Sequence, residues 1–385
     1  MRKDVFGRPA VCAIFECGET SLCGHNGDAN KMKFGLLYNT DYYPGAHGSA
    51  SRYYGEILEQ TQLADELGYH AVWFGEHHYS GYSFGAPAVI ATAAAARTKR
   101  IKLGTGVSLI PLNHPVRLAE EYAMLDVLSG GRLEYGIGRG FLNYSYEIFG
   151  VDPDQSHERY REGTDLIVKA WTAEGPFSFE GKFWQLRDYS FFPKPLQKPY
   201  PPIYASGAIT PESFVWAGRN GFHLSTAFFI PAPDLVRENI GLYRDALRTA
   251  GYDPATREVS GVYQMYCGDS REEARDHGGV YALQYYKFFD ALDRRRPHTS
   301  STYQLYQRGV ARPFISRSFD ELDAMRVLLI GTPDALIERV RWAQEFYGAT
   351  YLILEVAQGG EPHEYVVRSL ERFAKYVMPA FAGNG

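Results

Sequence analysis

No apolar run in this chain approaches the roughly 20 residues that a membrane-spanning helix requires. The N-terminus lacks the basic, apolar, small-residue order of a secretory signal. There is no block of like charge and no basic stripe. The 40 Lys and Arg stand against 45 Asp and Glu, which speaks against nucleic acid or an acidic membrane as partner. Cysteine is scarce: Cys12, Cys17, Cys23 and Cys267 are all there is. Their spacing fits neither a paired zinc knuckle nor a ferredoxin run. No metal is expected, and the protein reads as a reduced, cytoplasmic one. A Gly-x-Ser-x-Gly nucleophile elbow is missing, and so is the G-x-G-x-x-G dinucleotide fingerprint.

What is present is an alternation. From Met32 onward, short apolar runs alternate with helix-period segments closed by Gly or opened by Pro. The strands read as 33–38, 71–74, 101–107, 133–137, 203–205, 222–225, 259–266 and 351–354. Strands separated by helices imply a parallel α/β fold, and a count of eight favours a closed (β/α)₈ TIM barrel over an open sheet. The 385 residues leave room beyond the roughly 250 that such a barrel needs. Residues 176–200 break the rhythm: Phe177 to Trp184 reads as a hairpin with a tight Gly turn. Residues 280–325, rich in Tyr, Phe and Arg, read as an insertion. Ser156 is expected to cap a helix.

In such barrels chemistry gathers at the C-terminal ends of the strands. The second strand ends in Glu76-His77-His78-Tyr79, where a His could move protons, bind a metal or merely hydrogen-bond. Zinc needs three or four placed ligands, so a metal-dependent hydrolase is a runner-up only. The fourth strand ends in Gly136-Ile137-Gly138-Arg139-Gly140 and the fifth in Ala205-Ser206-Gly207-Ala208-Ile209-Thr210, with Pro211 opening a helix. Glycines admit close backbone approach, an Arg forks onto phosphate oxygens, and a helix N-terminus seats an anion. Each loop alone reads equally as a tight turn. Together on neighbouring strands they point to one phosphate. No lysine stands at a strand end, which disfavours Schiff-base chemistry.

Taken in order, Glu76-His77-His78-Tyr79, the run Leu103 to Arg117, the run Leu125 to Leu133, Gly138-Arg139-Gly140, Pro193 to Pro199 and Gly331-Thr332-Pro333 resemble the bacterial-luciferase-like flavin-dependent monooxygenases over about residues 32–378. The resemblance implies a luciferase-like barrel that binds reduced FMN (FMNH2) and uses O₂ to oxidise a small organic substrate through a flavin hydroperoxide. It implies reduced FMN delivered by a separate flavin reductase, and a homodimer. It matches the flavin site to Arg139, Gly140, Ser206, Gly207 and Thr210, with Gly106 and Val107 as a non-proline cis peptide, and the catalytic His to His77. Three departures stand out. A reactive Cys of the luciferases is Gly138 here, and their loop carboxylate is Ser206. Where many relatives carry an Arg there is His157, with Arg159 as the expected substitute. Two other classes stay open: a deazaflavin (F420)-dependent hydride-transfer enzyme, and a non-catalytic flavin-binding accessory protein. Residues 79–84 and 280–325 are the expected lid. The small residues of the helix near Ala91 to Ala96 suit either dimer contact or core packing inside the monomer.

Residues 1–31 show neither strand nor helix period and read as a leader ahead of one domain spanning 32–385. A chain started at Met32 is therefore expected to fold and turn over normally. Loss of soluble expression on that truncation would show instead that the leader packs on the barrel.

Overall fold

The computed structural model describes residues 31–39, 41–78, 84–230, 232–295 and 317–383. The predicted leader with Cys12, Cys17 and Cys23, Tyr79 with most of the first lid segment, and residues 296–316 of the second lie outside the described residues.

Eight parallel strands close on themselves: β1 (Lys33–Tyr38), β2 (Ala71–Phe74), β3 (Lys102–Thr105), β4 (Leu133–Gly138), β5 (Ile203–Gly207), β6 (His223–Ala227), β7 (Val259–Cys267) and β8 (Tyr351–Glu355). Each pairs with its successor in parallel, and β8 pairs back onto β1 through Lys33↔Tyr351 to Leu37↔Glu355. One helix follows each strand: α1 (Ala50–Leu67), α2 (Pro87–Ala95), α3 (Pro115–Ser129), α4 (Ser156–Thr172), α5 (Pro211–Arg219), α6 (Pro233–Thr249), α7 (Pro333–Tyr347) and α8 (His363–Tyr376). This is the (β/α)₈ barrel expected from the alternation. No helix among the described residues is long and apolar enough to cross a membrane.

Local chemistry explains the boundaries. The face of α1 carrying Ile57, Leu58, Thr61 and Ala64 is buried, and the helix stops at Gly68, whose φ of 85° suits glycine. α3 opens with Pro115 and closes on Gly130 at φ 73°. Ser156 corrects one expectation. It is the first residue inside α4 rather than its cap, and its buried hydroxyl accepts a hydrogen bond from Arg139 Nη1 at 3.4 Å. The hairpin also differs in register: Phe177–Glu180 pairs with Gln185–Tyr189, so Phe183 and Trp184 belong to the turn. Three consecutive backbone N–H groups of that turn, from Lys182 to Trp184, donate to the Glu162 carboxylate at 2.9 Å, which holds the turn open beyond a tight two-residue form. The insertion is regular where it is described. It contains a helix at Val280–Arg295 and a capped helix at Phe319–Ala324, and just after it a short strand, Leu329–Gly331, pairs with the end of β7.

Inside the barrel, side chains form layers. Trp73 of β2 fills the centre, and its Nε1 donates to Tyr351 Oη at 2.8 Å. It has room because β3 and β4 carry glycine opposite. A Cβ on Gly104 or Gly136 would stand 2.3 or 2.6 Å from the indole. Below it lies a polar layer, in which Glu134 meets His70 at 2.9 Å and Tyr351 Oη at 3.3 Å. Glu258 there is held by Lys33 and Tyr204. The N-terminal half of the barrel is therefore sealed, and the C-terminal half is where space remains.

Candidate active site

A pocket opens at the C-terminal ends of the strands with Trp73 among the residues at its floor. Every residue assigned to the site from sequence lines it: His77, Gly106, Val107, Arg139, Gly140, Ser206, Gly207 and Thr210. They come from the ends of four successive strands, and only closure of the barrel brings them together.

One side of the pocket is built for an anion. Arg139 follows β4 and is the only Lys or Arg lining the pocket among the described residues. Across from it, Ser206, Gly207 and Thr210 lead into α5, whose N-terminus carries Pro211. Thr210 occupies the N-cap position without spending its side chain on the helix and lines the pocket, where a helix N-terminus favours an anion. His157 does not add a second cation. Burial and the neighbouring charges of Arg139 and Arg161 push its pKa down to about 4. Arg159 does not substitute either: its guanidinium lies 4.5 Å over the Phe183 ring, with Nε on Gln155 Oε1 at 3.2 Å. That expectation is overturned, because the hairpin turn offers the guanidinium an aromatic face on the outside of the barrel.

Between the anion side and His77 the backbone itself forms the wall. The Gly106–Val107 peptide is cis, as the resemblance implied, and Ser108–Leu109 then resumes pairing with β4. Val107 occupies the space beside Gly138. A Cβ on Gly138 would stand 2.3 Å from Val107 Cγ2, so no cysteine fits there without displacing that side chain.

The two histidines separate as extended backbone requires. His77 lines the pocket, while His78 turns out, bonding Glu76 Oε1 at 2.8 Å and meeting the Phe149 ring edge-on at 4.7 Å. Burial holds the His77 imidazole down to about 3, so it is neutral at pH 7. Sequence reasoning left Glu76 without a role. Its buried carboxylate accepts from Leu109 N–H and Asn113 Nδ2, each at 2.9 Å, tying the end of β2 to the segment after the cis peptide. Also missed were Ser225 and Thr226 in the C-terminal half of β6, Phe229 just after it, and Leu142 and Ser145 after β4. Their strand-end positions are the signal that could have found them. Phe84, read as lid, is instead core: it is buried against Phe74, and its carbonyl accepts His77 N–H at 2.8 Å. No group of three or more His, Cys, Asp or Glu among the described residues is placed to hold a metal.

Residues 32–350 match the luciferase-like monooxygenase family. The chain belongs to that family. It is a flavin-dependent monooxygenase by class, as its sequence led us to expect. It is 31% identical over 357 residues to the oxygenase component of the flavin-dependent trigonelline monooxygenase of Acinetobacter baylyi, covering 91% of this chain and 96% of that one. A solved monooxygenase from Streptomyces bottropensis superposes with a TM-score of 0.79 at 32% identity, covering 90% of this chain and 99% of that chain. The oxygenating constituent of the 3,6-diketocamphane monooxygenase of Pseudomonas putida, solved with FMN, shares the fold with a TM-score of 0.75 at 23% identity, covering 91% and 98%.

The depressed His77 pKa carries a sign for stability. The unfolded chain takes up a proton on this ring near pH 6.5 and the folded chain only near 3. Stability is therefore lost as pH falls from about 6.5 toward 3. A His77→Gln chain is expected to lose less thermal stability between pH 7 and 5 than the native chain. Equal losses in matched melting curves would place the His77 pKa at its ordinary value.

Proposed function

We propose that this chain is the oxygenase of a two-component system that takes reduced FMN from a separate reductase and uses it with O₂ to oxygenate a small organic substrate. The observation that carries the reading is the span of the pocket. An anion seat of Arg139, Ser206, Gly207 and Thr210 lies on one side, a strip of backbone at Gly106–Val107 in the middle, and His77 on the far side. The fit to a flat, phosphate-bearing cofactor rests on that order. A Cβ on Gly138 would meet Val107, so the wall there is a tight seam between two strands with no side chain of its own from β4.

When bound, reduced FMN supplies the electrons that activate O₂; the protein supplies position and exclusion of water. Arg139 and the α5 N-terminus would hold the phosphate. Gly106 and Val107 would carry the ring, and Gly140, at φ 76°, lets the chain turn past the phosphate. His77 stays neutral and can accept a proton or donate its N–H to a group above the ring. The insertion helix Val280–Arg295 would help exclude water. The proposal takes the chain from Met32 as one barrel domain, with residues 1–31 read from sequence as a leader ahead of it.

A homodimer belongs to the same proposal, on different residues from those first expected. Ala91 and Ala94 are buried inside the monomer, so they are not available for close approach between copies. Support comes instead from the apolar side chains that α2 and α3 present outward, with Val89 70% exposed, Leu128 64% and Met124 51%.

Two measurements test the proposal. Loss of one charge-assisted contact costs about 1.5–3 kcal/mol, and tenfold in affinity corresponds to about 1.4 kcal/mol. Arg139→Ala is therefore expected to weaken reduced-FMN binding tenfold or more in an anaerobic titration; unchanged affinity would remove Arg139 from the phosphate site. The neighbouring histidines give an internal control. Once a substrate is found by screening with reduced FMN and O₂, His77→Ala should keep FMN binding and lose about 10²- to 10⁴-fold in product formation. His78→Ala should lose stability more than turnover. The reverse pattern would transfer the role to His78.

A further inference from the structure

On the side of the barrel mouth away from Arg139, the inward-facing residues change character within one layer. Leu37 of β1, Val262 of β7 and Ile353 of β8 line the pocket. Side chains on a strand alternate, so the next residues facing the same way are Asn39, Gln264 and Glu355. Asn39 lines the pocket directly. Gln264 and Glu355 are register partners across the β7–β8 ladder, and Leu37 is the partner of Glu355 across β8–β1. The apolar layer is thus overlaid by an amide, a carboxyl and a second amide, side by side.

This polar layer is not satisfied by the fold. Gln264 is fully buried, yet neither its Oε1 nor its Nε2 has a hydrogen-bond partner, and Glu355, 2% exposed, has Oε1 without one. Asn39 Oδ1 and Thr226 Oγ1 are in the same condition. Asn39 and Tyr285 of the insertion helix reach Glu355 as hydrogen-bonding neighbours, and Tyr286 and a second carboxyl, Asp41, stand near it, with no basic side chain among them. Burial pushes the Glu355 carboxyl up to about 7 and Asp41 to about 6. By contrast the polar layer at the other end of the barrel is paired: Glu134 with His70 and Tyr351, and Glu258 with Lys33 and Tyr204. Buried polar groups that only build a fold are normally paired. Both amide atoms of Gln264 are left for something else to satisfy, with the open Oε1 of Glu355 beside them.

We propose that Gln264 and Glu355, with Asn39 beside them, are the specificity-determining residues of this enzyme, and that they select a substrate whose head group offers a hydrogen-bond donor next to an acceptor, as a lactam or amide does. The proposal rests on the flavin reading only for the chemistry; the recognition is a property of these side chains. A carboxyl poised near neutrality accepts from an N–H or donates to a carbonyl, and the Gln264 amide supplies the complementary group. A site built this way discriminates strongly against a substrate lacking the polar pair, because binding it would leave the buried amide and carboxyl unmet. Plain hydrocarbons are thereby disfavoured.

The test uses the full chain and three matched rings: 2-pyridone, which has both donor and acceptor; N-methyl-2-pyridone, which lacks the donor; and toluene, which has neither. Titration calorimetry is expected to rank them in that order, with 2-pyridone at least tenfold tighter than toluene. Gln264→Met and Glu355→Gln should each reduce that preference at least tenfold. In both variants the ligand-free Tm should stay level or rise, since the fold leaves the Gln264 amide unpaired and Glu355→Gln keeps an acceptor for Asn39 and Tyr285. A fall in Tm of more than about 2 °C in both variants, or failure of both to fold, would mark the pair as structural and overturn the proposal. Equal binding of the three rings to the native chain would overturn it as well. Reduced-FMN affinity is measured in parallel. A native chain that keeps the ring preference without binding reduced FMN supports the polar subsite and overturns the flavin reading instead. Tight FMN binding with no ring preference overturns the subsite alone.

Discussion

Trp73 fills the middle of the barrel, and the rest of the molecule is arranged around the volume it takes. An eight-stranded barrel has an interior that side chains must fill in layers. Here one indole occupies much of a layer, so β3 and β4 must present Gly104 and Gly136 to it. The same packing passes to Tyr351, whose ring lies where a Cβ on Gly35 would otherwise stand, 2.6 Å from its hydroxyl. The indole N–H is satisfied by that hydroxyl, so a large polar-tipped ring is buried without an orphaned donor. Trp73 thereby divides the barrel: a sealed and paired layer of charges beneath it, and an open pocket above.

The pocket inherits an asymmetry from the strand order. Arg139 and the α5 N-terminus lie after β4 and β5, so positive potential is concentrated there. The acidic and amide groups lie after β7, β8 and β1. His77, after β2, stands between the two, and burial keeps it neutral. The proposed cofactor phosphate and polar substrate head would thus lie on opposite sides of one cavity.

Several of the motifs that carry the family resemblance are structural rather than chemical. Asp65, which lies outside those motifs, works alongside them and accepts three backbone N–H groups, from Lys99, Arg100 and Ile101. Arg132 reaches Thr98, Ile101 and Ala95. Asp126 takes both the backbone and the side chain of Gln197. These bonds fasten the loops that enter β3, β4 and β5 from the closed end of the barrel. Glu76 does the corresponding work at the open end, holding the segment after the cis peptide in place beside His77. The runs from Leu125 to Leu133 and from Pro193 to Pro199 therefore report the scaffold that aims the site, while the site itself rests on a few strand-end residues.

The eight strands, their helices and most helix ends were legible in sequence because each depends on local chemistry: apolar period, Pro at a first turn, Gly at positive φ. The residues His77, Arg139, Ser206 and Thr210 were legible because they stand at strand ends, and their outward or inward sense follows from alternation. What local pattern could not supply was company. Nothing adjacent to Ser156 announces that its hydroxyl meets Arg139 rather than capping a helix. Arg159 is just as silent about the hairpin's Phe183 that draws it away from the phosphate side. Nor does anything near Gln264 in the chain say that Glu355 is its neighbour, since 91 positions separate them. Closing the sheet decided those pairings, because register between β7 and β8 is set by the whole barrel, and a buried side chain's partners are chosen by the strands on either side of it rather than by the residues before and after it.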